Sequence, residues 1–316
     1  MAASTLHAFV DLWAVLGALA GVVLVDAAAY PIGLMAIGAA QSAPRSVSGR
    51  APSLPLVRRR VAHFDADEVR RHAADSPGAV VLLVDGLCPG CGRIAPLNDL
   101  VAAIRPFDGL VVVDDTQGLG LAGVPAAGGY GAGGGGSVRW SACADSDRLV
   151  VVASLAKAYG APLAVTCGPG WLIDQLRAAG PLQLHGSGPN AAALAACTEA
   201  LAAERSGAAA ERRHRLHRLV RLFRQGVVAA GLPCPDGGRW PMQTLPVPAE
   251  EGRRAVQRLD AAGLRTVLVN RRCRPGCGLA VLVNATHTVG HIHSLTRQLA
   301  VSLPSIHQSP HVDKAD

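Results

Sequence analysis

Five apolar runs, each closed by a polar or small residue, alternate with helix-like segments in the first half of the chain. They span residues 21–26, 80–85, 110–114, 149–153 and 162–167. Strands that are apolar on both faces belong to mostly parallel sheets that helices cover on both sides. The pattern therefore predicts a three-layer α/β fold. Ligands of such sheets bind beyond the carboxyl ends of the strands, so we expect the functional site at that edge.

The composition agrees with a packed α/β protein. The 316 residues are enough for a substantial core, in one large domain or two. Half of the residues are apolar but only 3% are aromatic, so Ala, Val, Leu and Gly must supply the packing. The net charge of +7 is modest and suits small anions such as phosphates or coenzyme A. We expect no nucleic-acid partner.

An apolar stretch at residues 12–25 resembles a membrane anchor but is too short for one. Spanning a bilayer takes about 20 apolar residues. Asp11 and Asp26 flank the stretch, and no basic segment precedes it, as a signal peptide would require. We expect a buried helix that runs into a strand, no membrane association and a cytoplasmic location.

Lys157 and Asp114 stand in short polar segments that follow two of the apolar runs. Lys157 lies in SLAKAYG at 154–160, and Asp114 opens DDTQG at 114–118. A lysine amine can bond covalently to the aldehyde of pyridoxal phosphate (PLP), and an Asp carboxylate can keep its pyridine nitrogen protonated. The alternative for Lys157 is a solvated surface charge.

Four motifs occur in a fixed order along the chain. The segment 114–118 resembles Asp-Asp-Ala-His-Gly, and 154–160 resembles Thr/Ser-x-x-Lys-x-x-Gly. The segment 85–97 resembles Glu-Gly-x-Phe-Ser-Met-Asp-Gly-x-x-Ala-Pro-Leu. Finally, 26–30 is similar to a strand end whose Asp is followed four residues later by an aromatic residue. Together they resemble the α-oxoamine synthase branch of the fold-type-I PLP enzymes, in the class I/II aminotransferase superfamily.

This resemblance implies roles for residues around the cofactor ring. Lys157 would be the catalytic lysine, and Asp114 would pair with the pyridine nitrogen. Tyr30 would lie on the ring face, where stacking favours a flat cofactor. Gln117 replaces the family His near the phenolic oxygen, and it can donate a hydrogen bond but cannot titrate.

The resemblance also implies a set of phosphate contacts. Ser154 would bind the phosphate through its hydroxyl. Ser4, Thr5 and Leu6, at the start of a helix-like run, match a loop whose backbone amides face the phosphate, as helix amino termini favour anions. Ser187 would reach the phosphate across the interface of a homodimer.

The activity that the resemblance implies is condensation of an amino acid with an acyl-coenzyme A. The alternatives are an aminotransferase and a relative that has lost catalysis. Pro89 stands where the family has a Ser, and Gly278 stands where the family has the Arg that binds the substrate carboxylate. Arg271, Arg272 and Arg274 are candidates to replace it. The motifs begin at the very start of this chain, so we expect it to lack the family's N-terminal part.

The second half of the chain predicts a small α+β domain. We expect a PLP-binding domain at 1–205, the small domain at 206–304 and a mobile tail at 305–316. Residues 41–60 are expected to form a loop. The Gly-dense segment 121–137 could be a mobile flap, a disordered insert or, less well supported, a phosphate cradle. The predicted elements of the small domain are helices at 211–228, 250–262 and 287–303, and strands at 241–247, 266–270 and 279–284.

The eight cysteines allow two further hypotheses. Cys88 and Cys91 follow an apolar run, as in a thioredoxin-like dithiol protein. Together with Cys273 and Cys277 they could also bind zinc, but the two pairs lie far apart in the chain. We expect neither a redox function nor a metal site, and we expect Cys143, Cys167 and Cys197 to be small core residues.

Overall fold

The computed structural model describes residues 1–42, 57–76, 78–126 and 129–303. The chain divides into two compact units. The first unit holds residues 1–88 and 94–210, and the second holds residues 89–93 and the chain from 211 onward. The predicted domain limits at 205 and 304 stay predictions, and the expected tail at 305–316 lies outside the described residues.

The first unit is built on a six-stranded sheet with the order β2-β1-β3-β4-β5-β6. Strands β1 to β5 are parallel, and β6 is antiparallel to β5. The mostly parallel sheet predicted from the apolar runs is confirmed. The strands are β1 (Val22–Asp26), β2 (Val57–Val61), β3 (Val80–Asp85), β4 (Leu110–Asp114), β5 (Leu149–Ser154) and β6 (Ala164–Cys167).

Helices cover both faces of this sheet. The helices of this unit are α1 (Thr5–Leu16), α2 (Pro31–Ser42), α3 (Ala66–Ala74), α4 (Leu97–Ile104), α5 (Gly136–Trp140), α6 (Gly170–Ala179), α7 (Pro181–His185) and α8 (Ala191–Arg205). Apolar side chains of α1, α2 and α6 form one core cluster with alternate residues of the sheet, such as Val23 and Val25. The intervening residue, Leu24, is also fully buried and points to the opposite face. Burial on both faces explains why these strands are continuously apolar.

The stretch at 12–25 forms the end of α1 and strand β1, as predicted. Trp13, Leu16 and Leu24 are fully buried there. Within the part of the chain that the structure describes, no helix has both the length and the hydrophobicity to cross a membrane.

The prediction of a loop at 41–60 is wrong at both ends. Helix α2 continues to Ser42, and β2 pairs with β1 along all five of its residues, Val57–Val61. Strand β2 lies at the edge of the sheet, and its sequence, VRRRV, lacks the continuous apolar pattern of the inner strands. Edge strands commonly carry charged side chains, which discourage pairing with other molecules. Residues 43–56 lie outside the described part.

The described part of the Gly-dense segment is held by backbone hydrogen bonds. Val124 and Ala132 exchange two N–H···O bonds of 2.9 Å, and Gly123 donates to the carbonyl of Tyr130 at 2.9 Å. The end of the segment begins α5, in which Gly136 and Ser137 are buried. These contacts argue against a disordered insert.

The second unit contains a three-stranded antiparallel sheet with the order β7-β9-β8. Leu219, Phe223, Leu259 and Leu299 share a core with the strands. The predicted small α+β arrangement is confirmed, with ends shifted by a few residues. The elements are α9 (Ala208–Ala229), β7 (Met242–Pro246), α10 (Ala249–Ala261), β8 (Val267–Asn270), β9 (Cys277–Leu282) and α11 (Val289–Ser302).

Candidate active site

Four polar residues end neighbouring strands at the carboxyl edge of the large sheet. They are Asp26, Asp85, Asp114 and Ser154, at the ends of β1, β3, β4 and β5. Asp85 and Asp114 are direct partners in the register of β3 and β4. The edge predicted to hold the site is therefore lined by side chains that can bind a ligand.

Asp114 is a buried carboxylate at this edge, with 8% of its surface exposed. Its Oδ1 accepts a hydrogen bond of 3.1 Å from the backbone N–H of Thr116. Burial raises the pKa of Asp114, while the hydrogen bonds from Thr116 and the positive charge of Lys157 oppose the rise. A cation brought to this carboxylate would stabilise its charged form.

Lys157 lies on a tight turn that follows β5. The N–H of Tyr159 donates to the carbonyl of Leu155 at 3.0 Å, and Gly160 closes the turn with a φ of 65°. A Cβ built on Gly120, which follows the Asp114 segment, would overlap Cβ of Ala158. The two loops therefore touch, which agrees with the electrostatic interaction between Lys157 and Asp114. The Lys157 side chain is exposed at this edge.

Thr116 joins these two loops. Its Oγ1 accepts a hydrogen bond of 3.1 Å from the N–H of Ser154. The hydroxyl of Ser154 accepts a bond of 3.2 Å from the N–H of Ala156, and it keeps its own proton for donation to an anion. Gln117 is half-buried in the turn that follows Asp115.

The start of α1 lies beside the end of β5. Ala2 and Ala164 exchange two backbone hydrogen bonds of 2.9 and 2.8 Å, and Ala164 is the register partner of Ser154. Ser4 is the N-cap of α1, with its Oγ 2.7 Å from Nδ1 of His7. The next two N–H groups, of Thr5 and Leu6, have no acceptor within the helix, as at every helix start. This end of α1 can therefore face an anion.

Tyr30 and Ser187, two further predicted site residues, are both exposed. The N–H of Tyr30 donates to Oδ1 of Asp85 at 3.0 Å, and the Tyr30 side chain is 51% exposed. Ser187 is exposed and lines a small cavity together with Ala2 and His7, at the start of α1. The predicted contact of Ser187 across a dimer interface stays a prediction.

Asp115 is a buried carboxyl group whose importance the sequence does not reveal. Its side chain is fully buried, and Oδ2 accepts a bond of 2.9 Å from the N–H of Ser137. Burial raises the pKa of Asp115 to about 7, although hydrogen bonding from Ser137 favours the charged form. A Cβ on Gly118 or Gly136 would overlap its carboxyl oxygens. Gly118 and Gly136, the last glycine of the Gly-dense segment, therefore enclose this group.

Thr116, Asp85 and Asp11 are also missing from the sequence-based site. Asp11 accepts a hydrogen bond of 2.6 Å from the N–H of Leu182 at the start of α7, and so fixes the segment that leads to Ser187. Sequence offers a weak signal for two of them. Thr116 stands inside a quoted motif, and Asp85 ends an apolar run, whereas nothing local marks Asp11.

The second unit contains Gly278, which stands where the family has the arginine that binds the substrate carboxylate, and the arginines that are candidates to replace it. Gly278 is buried in β9, and a Cβ there would overlap Cγ2 of Thr244. Arg271 is held by Asp236 through an ion pair of 2.6 Å, with both side chains largely buried. Arg274 contacts the same carboxylate at 3.3 Å. Arg271 and Arg274 therefore share one anionic partner, Asp236.

Several of these residues have the chemistry that a pyridine-based phosphate cofactor needs. A buried carboxylate interacts electrostatically with a lysine amine, an aromatic side chain is exposed beside Asp85, and a helix start lies beside the strand partner of Ser154. The burial that raises the pKa of Asp114 is the property that a pyridinium partner would relieve. The residues present therefore fit PLP.

The sequence profile of class I and II aminotransferases matches residues 18–274, and the chain belongs to this family. The chain is 32% identical over 249 residues to 8-amino-7-oxononanoate synthase of Halorhodospira halophila, covering 77% of the chain and 59% of that protein. It is 30% identical over 247 residues to the synthase of Marinobacter nauticus, with 77% and 60% covered. The chain thus spans about three fifths of the length of the curated relatives it matches.

Solved structures share the fold. Serine palmitoyltransferase of Sphingomonas wittichii superposes with a TM-score of 0.78 at 17% identity, covering 95% of this chain and 70% of that one. The 8-amino-7-oxononanoate synthase of Francisella tularensis superposes with a TM-score of 0.74 at 15% identity, covering 96% and 81%. The resemblance and the fold class predicted from the motifs are both confirmed.

The thioredoxin-like alternative does not agree with these findings. In the structure Cys91 lies in a turn, and α4 begins six residues later at Leu97. A helix amino terminus, which lowers a thiol pKa in dithiol motifs, is therefore not adjacent to the cysteines. The expectation that Cys167 belongs to the core is also wrong, because it is exposed at the end of the edge strand β6, while Cys143 and Cys197 are half-buried.

Proposed function

We propose that this chain binds PLP through Lys157 and catalyses an α-oxoamine synthase-like condensation of an amino acid with an acyl-coenzyme A. The observation that carries the proposal is the buried carboxylate of Asp114 at the end of β4, interacting with Lys157 in the neighbouring loop. The relatives named 8-amino-7-oxononanoate synthase support this reaction class.

Each residue has a defined task in this mechanism. Bound PLP would supply an electron sink for bond breaking at the amino acid's α-carbon. Asp114 would hold a proton on the pyridine nitrogen through a charge-assisted hydrogen bond, which is strong in a buried site. Tyr30 would lie against the ring face, and Gln117 would donate a hydrogen bond to the phenolic oxygen.

The phosphate would be bound at the junction of β5 and α1. The Ser154 hydroxyl and the N–H groups of Thr5 and Leu6 are the donors there, with Ser4 as the helix cap and Ser187 nearby. Lys157 would hold the cofactor covalently, and its amine would also move the proton at the α-carbon of the amino acid.

The sequence makes the attachment of PLP unusually easy to test, because its lysines are Lys157 and Lys314. We expect the purified chain to take up PLP with visible absorption, and borohydride to fix one equivalent on the tryptic peptide that contains Lys157. Lys157→Ala should lose the fixed cofactor, and Lys314→Ala should keep it. Equal trapping in wild type and Lys157→Ala would reject the assignment.

The reaction is tested separately with a panel of amino acids. We expect release of the coenzyme A thiol that requires both an acyl-coenzyme A and a small α-amino acid. Formation of a keto acid without acyl-coenzyme A would instead identify an aminotransferase.

A non-catalytic relative is the second candidate, and the buried Gly278 favours it, since no arginine can occupy that position without displacing Thr244. Trapping of PLP on Lys157 with no response to any amino acid would identify this outcome.

We further propose a homodimer in the cytoplasm. All eight cysteines are free of disulfides, as is usual in a reducing compartment. Trp171, Leu184, Leu194 and Leu201 on α6, α7 and α8 are exposed, and large exposed apolar residues often mark interfaces. Light scattering after gel filtration should give twice the 32.4 kDa chain mass. A monomer at micromolar concentration would contradict the proposal.

A further inference from the structure

Gly120 occupies a fixed place beside the candidate site, six residues after Asp114. Its N–H donates a hydrogen bond of 2.6 Å to the carbonyl of Gly134, and the preceding N–H, of Leu119, donates to the carbonyl of Asp115 at 2.8 Å. Because Asp115 directly follows Asp114 at the end of β4, these bonds fix Gly120 relative to the buried carboxylate.

The turn that carries Lys157 closes directly on the α-carbon of Gly120. An ideal Cβ at Gly120 would lie 2.5 Å from Cβ of Ala158 and 3.0 Å from Cζ of Tyr159. Both distances are shorter than ordinary van der Waals contacts, so a side chain at this position requires the turn to move away. Ala158 and Tyr159 immediately follow Lys157, and the place of the lysine backbone therefore depends on this contact.

Tyr159 is held on its other side by a core cluster that extends to α8. Its side chain packs against this cluster, which contains Leu155 and Ala193. Its hydroxyl donates to Oε1 of Glu204 on α8 at 3.5 Å, a length at the limit of a hydrogen bond. The ring, rather than the hydroxyl, therefore supplies most of the contact that keeps Tyr159 against Gly120.

Lys157 depends on such support because its own side chain is exposed. A lysine amine stands at the end of a flexible four-carbon stem, so the fold controls its position through the backbone of the turn. A misplacement of about 1 Å in a reacting group can cost about 10²-fold in rate. The position of this turn also governs the electrostatic interaction between Lys157 and Asp114.

We propose that Tyr159 is a positioning residue for Lys157, and that Gly120 is the residue against which its ring packs. The ring of Tyr159 and the missing side chain of Gly120 together set the separation between the lysine amine and the carboxylate of Asp114. Both residues act through Lys157. The inference rests on the PLP-binding function proposed above, in which the amine and the carboxylate hold different parts of one rigid cofactor.

Gly133 provides a matched control for a substitution at Gly120. The φ values are 80° at Gly133 and 78° at Gly120, so an alanine meets the same backbone strain at either position. Among the described residues, a Cβ at Gly133 would meet nothing within 4 Å beyond its chain neighbours, whereas a Cβ at Gly120 displaces the Lys157 turn. We expect Gly120→Ala to raise the dissociation constant of PLP, measured by equilibrium dialysis, by about tenfold or more. Gly133→Ala should stay within about twofold of wild type.

A second substitution should rescue Gly120→Ala. Ala158→Gly removes the methyl group with which the new Cβ makes its shortest contact, of 2.5 Å. The double variant should therefore bind PLP about threefold more tightly than Gly120→Ala alone. Simple destabilisation predicts the opposite, because a further glycine increases the conformational entropy of the unfolded chain. Recovery of affinity thus reports the position of the turn and not the stability of the chain.

Substitutions of Tyr159 separate the effect of the ring from that of the hydroxyl. Tyr159→Phe keeps the ring and should bind PLP within about threefold of wild type, because the lost hydrogen bond is long. Tyr159→Leu removes the ring atoms nearest to Gly120 and should weaken PLP binding by about tenfold, with less cofactor fixed on Lys157 by borohydride. Circular dichroism and urea midpoints verify that each variant folds. If Tyr159→Leu does not fold, the Gly120 variants carry the test.

A measurement without PLP tests the surroundings of the amine directly. The lysines of the chain are Lys157 and Lys314, so limited acetylation of the cofactor-free protein with acetic anhydride gives two modified lysines that mass spectrometry distinguishes. We expect the ratio of modification at Lys157 to that at Lys314 to change about twofold or more in Gly120→Ala and Tyr159→Leu, because the reactivity of an amine depends on its neighbours. The ratio should stay at the wild-type value in Gly133→Ala.

Either of two results would overturn the inference. One is equal PLP affinity of Gly120→Ala and Gly133→Ala, and the other is a loss in Tyr159→Phe as large as that in Tyr159→Leu. Failure of the proposed function gives a different pattern. If wild type fixes no PLP on Lys157, the proposed function is wrong, and the acetylation ratio alone decides whether Gly120 and Tyr159 position the amine.

Discussion

The backbone N–H of Ser154 donates a hydrogen bond of 3.1 Å to Oγ1 of Thr116, 38 residues earlier in the chain. Thr116 also donates its own N–H to Asp114. One residue thus links the candidate partner of the pyridine nitrogen to the candidate phosphate ligand.

Replacement of Thr116 by Val should remove the hydrogen bond to Ser154 and keep the backbone hydrogen bond to Asp114. Val has nearly the same shape but cannot accept the Ser154 N–H, so the stability should fall by about 1 kcal/mol. We expect PLP affinity, measured by equilibrium dialysis, to fall about tenfold. Thr116→Ser keeps the oxygen and should behave like wild type. Equal losses in the Ser and Val variants would show that the hydrogen bond is not responsible.

Asp114→Asn should keep PLP binding and lose most turnover. Asn occupies the same volume and can still accept the Thr116 N–H, but it carries no charge to hold a proton on the pyridine nitrogen. Loss of such a buried electrostatic contact typically reduces kcat by about 10²-fold or more. Turnover within a factor of two of wild type would remove Asp114 from the proposed mechanism.

The buried carboxyl of Asp115 should make stability depend on pH. Its pKa in the folded chain is raised to about 7, above its ordinary value of 3.8. Between these two values the folded state binds more protons than the unfolded state. The stabilisation is therefore present at low pH and is lost as the pH rises toward and past 7.

Asp115→Asn mimics the protonated group and should remove this dependence. We expect the variant to gain stability relative to wild type as the pH rises from 5 to 8. The gain between these pH values is about 3 kcal/mol, because about two pKa units separate pH 5 from the raised pKa and each unit corresponds to 1.36 kcal/mol. Urea unfolding at both pH values measures it. A constant difference between variant and wild type would contradict the shifted pKa.

Gly278 and Gly290 provide a matched pair of glycines in the second unit. A Cβ at Gly278 would overlap Thr244, whereas a Cβ at Gly290, exposed on α11, has only Oγ1 of Thr288 within 4 Å, at 3.6 Å. We expect Gly278→Ala to destabilise the chain by about 1–3 kcal/mol. Gly290→Ala should be neutral or stabilise it by up to about 1 kcal/mol. If Gly278→Ala does not lower the stability, the surroundings of Gly278 can also accept the side chain of an arginine.

Local patterns were enough to predict the strands and the main site residues. The strands β1, β3, β4 and β5 follow from runs that are apolar on both faces, and these runs fix where Asp114 and Ser154 stand. Lys157 is recognisable because Gly160 three residues later permits the turn. The edge strand β2 was missed, since its arginines carry none of the apolar signal on which that reading depends.

The sequence alone determined the α/β class, the edge of the sheet that carries the site, and the cofactor chemistry proposed for it. These properties depend on side-chain periodicity and on residues close together in the chain. The tertiary structure decided which distant side chains meet. It brings His63 to Asp26 and Asp11 to Leu182, 171 residues away, and it pairs Arg271 with Asp236. Such contacts depend on the order of the strands and the packing of the helices, which local sequence does not encode.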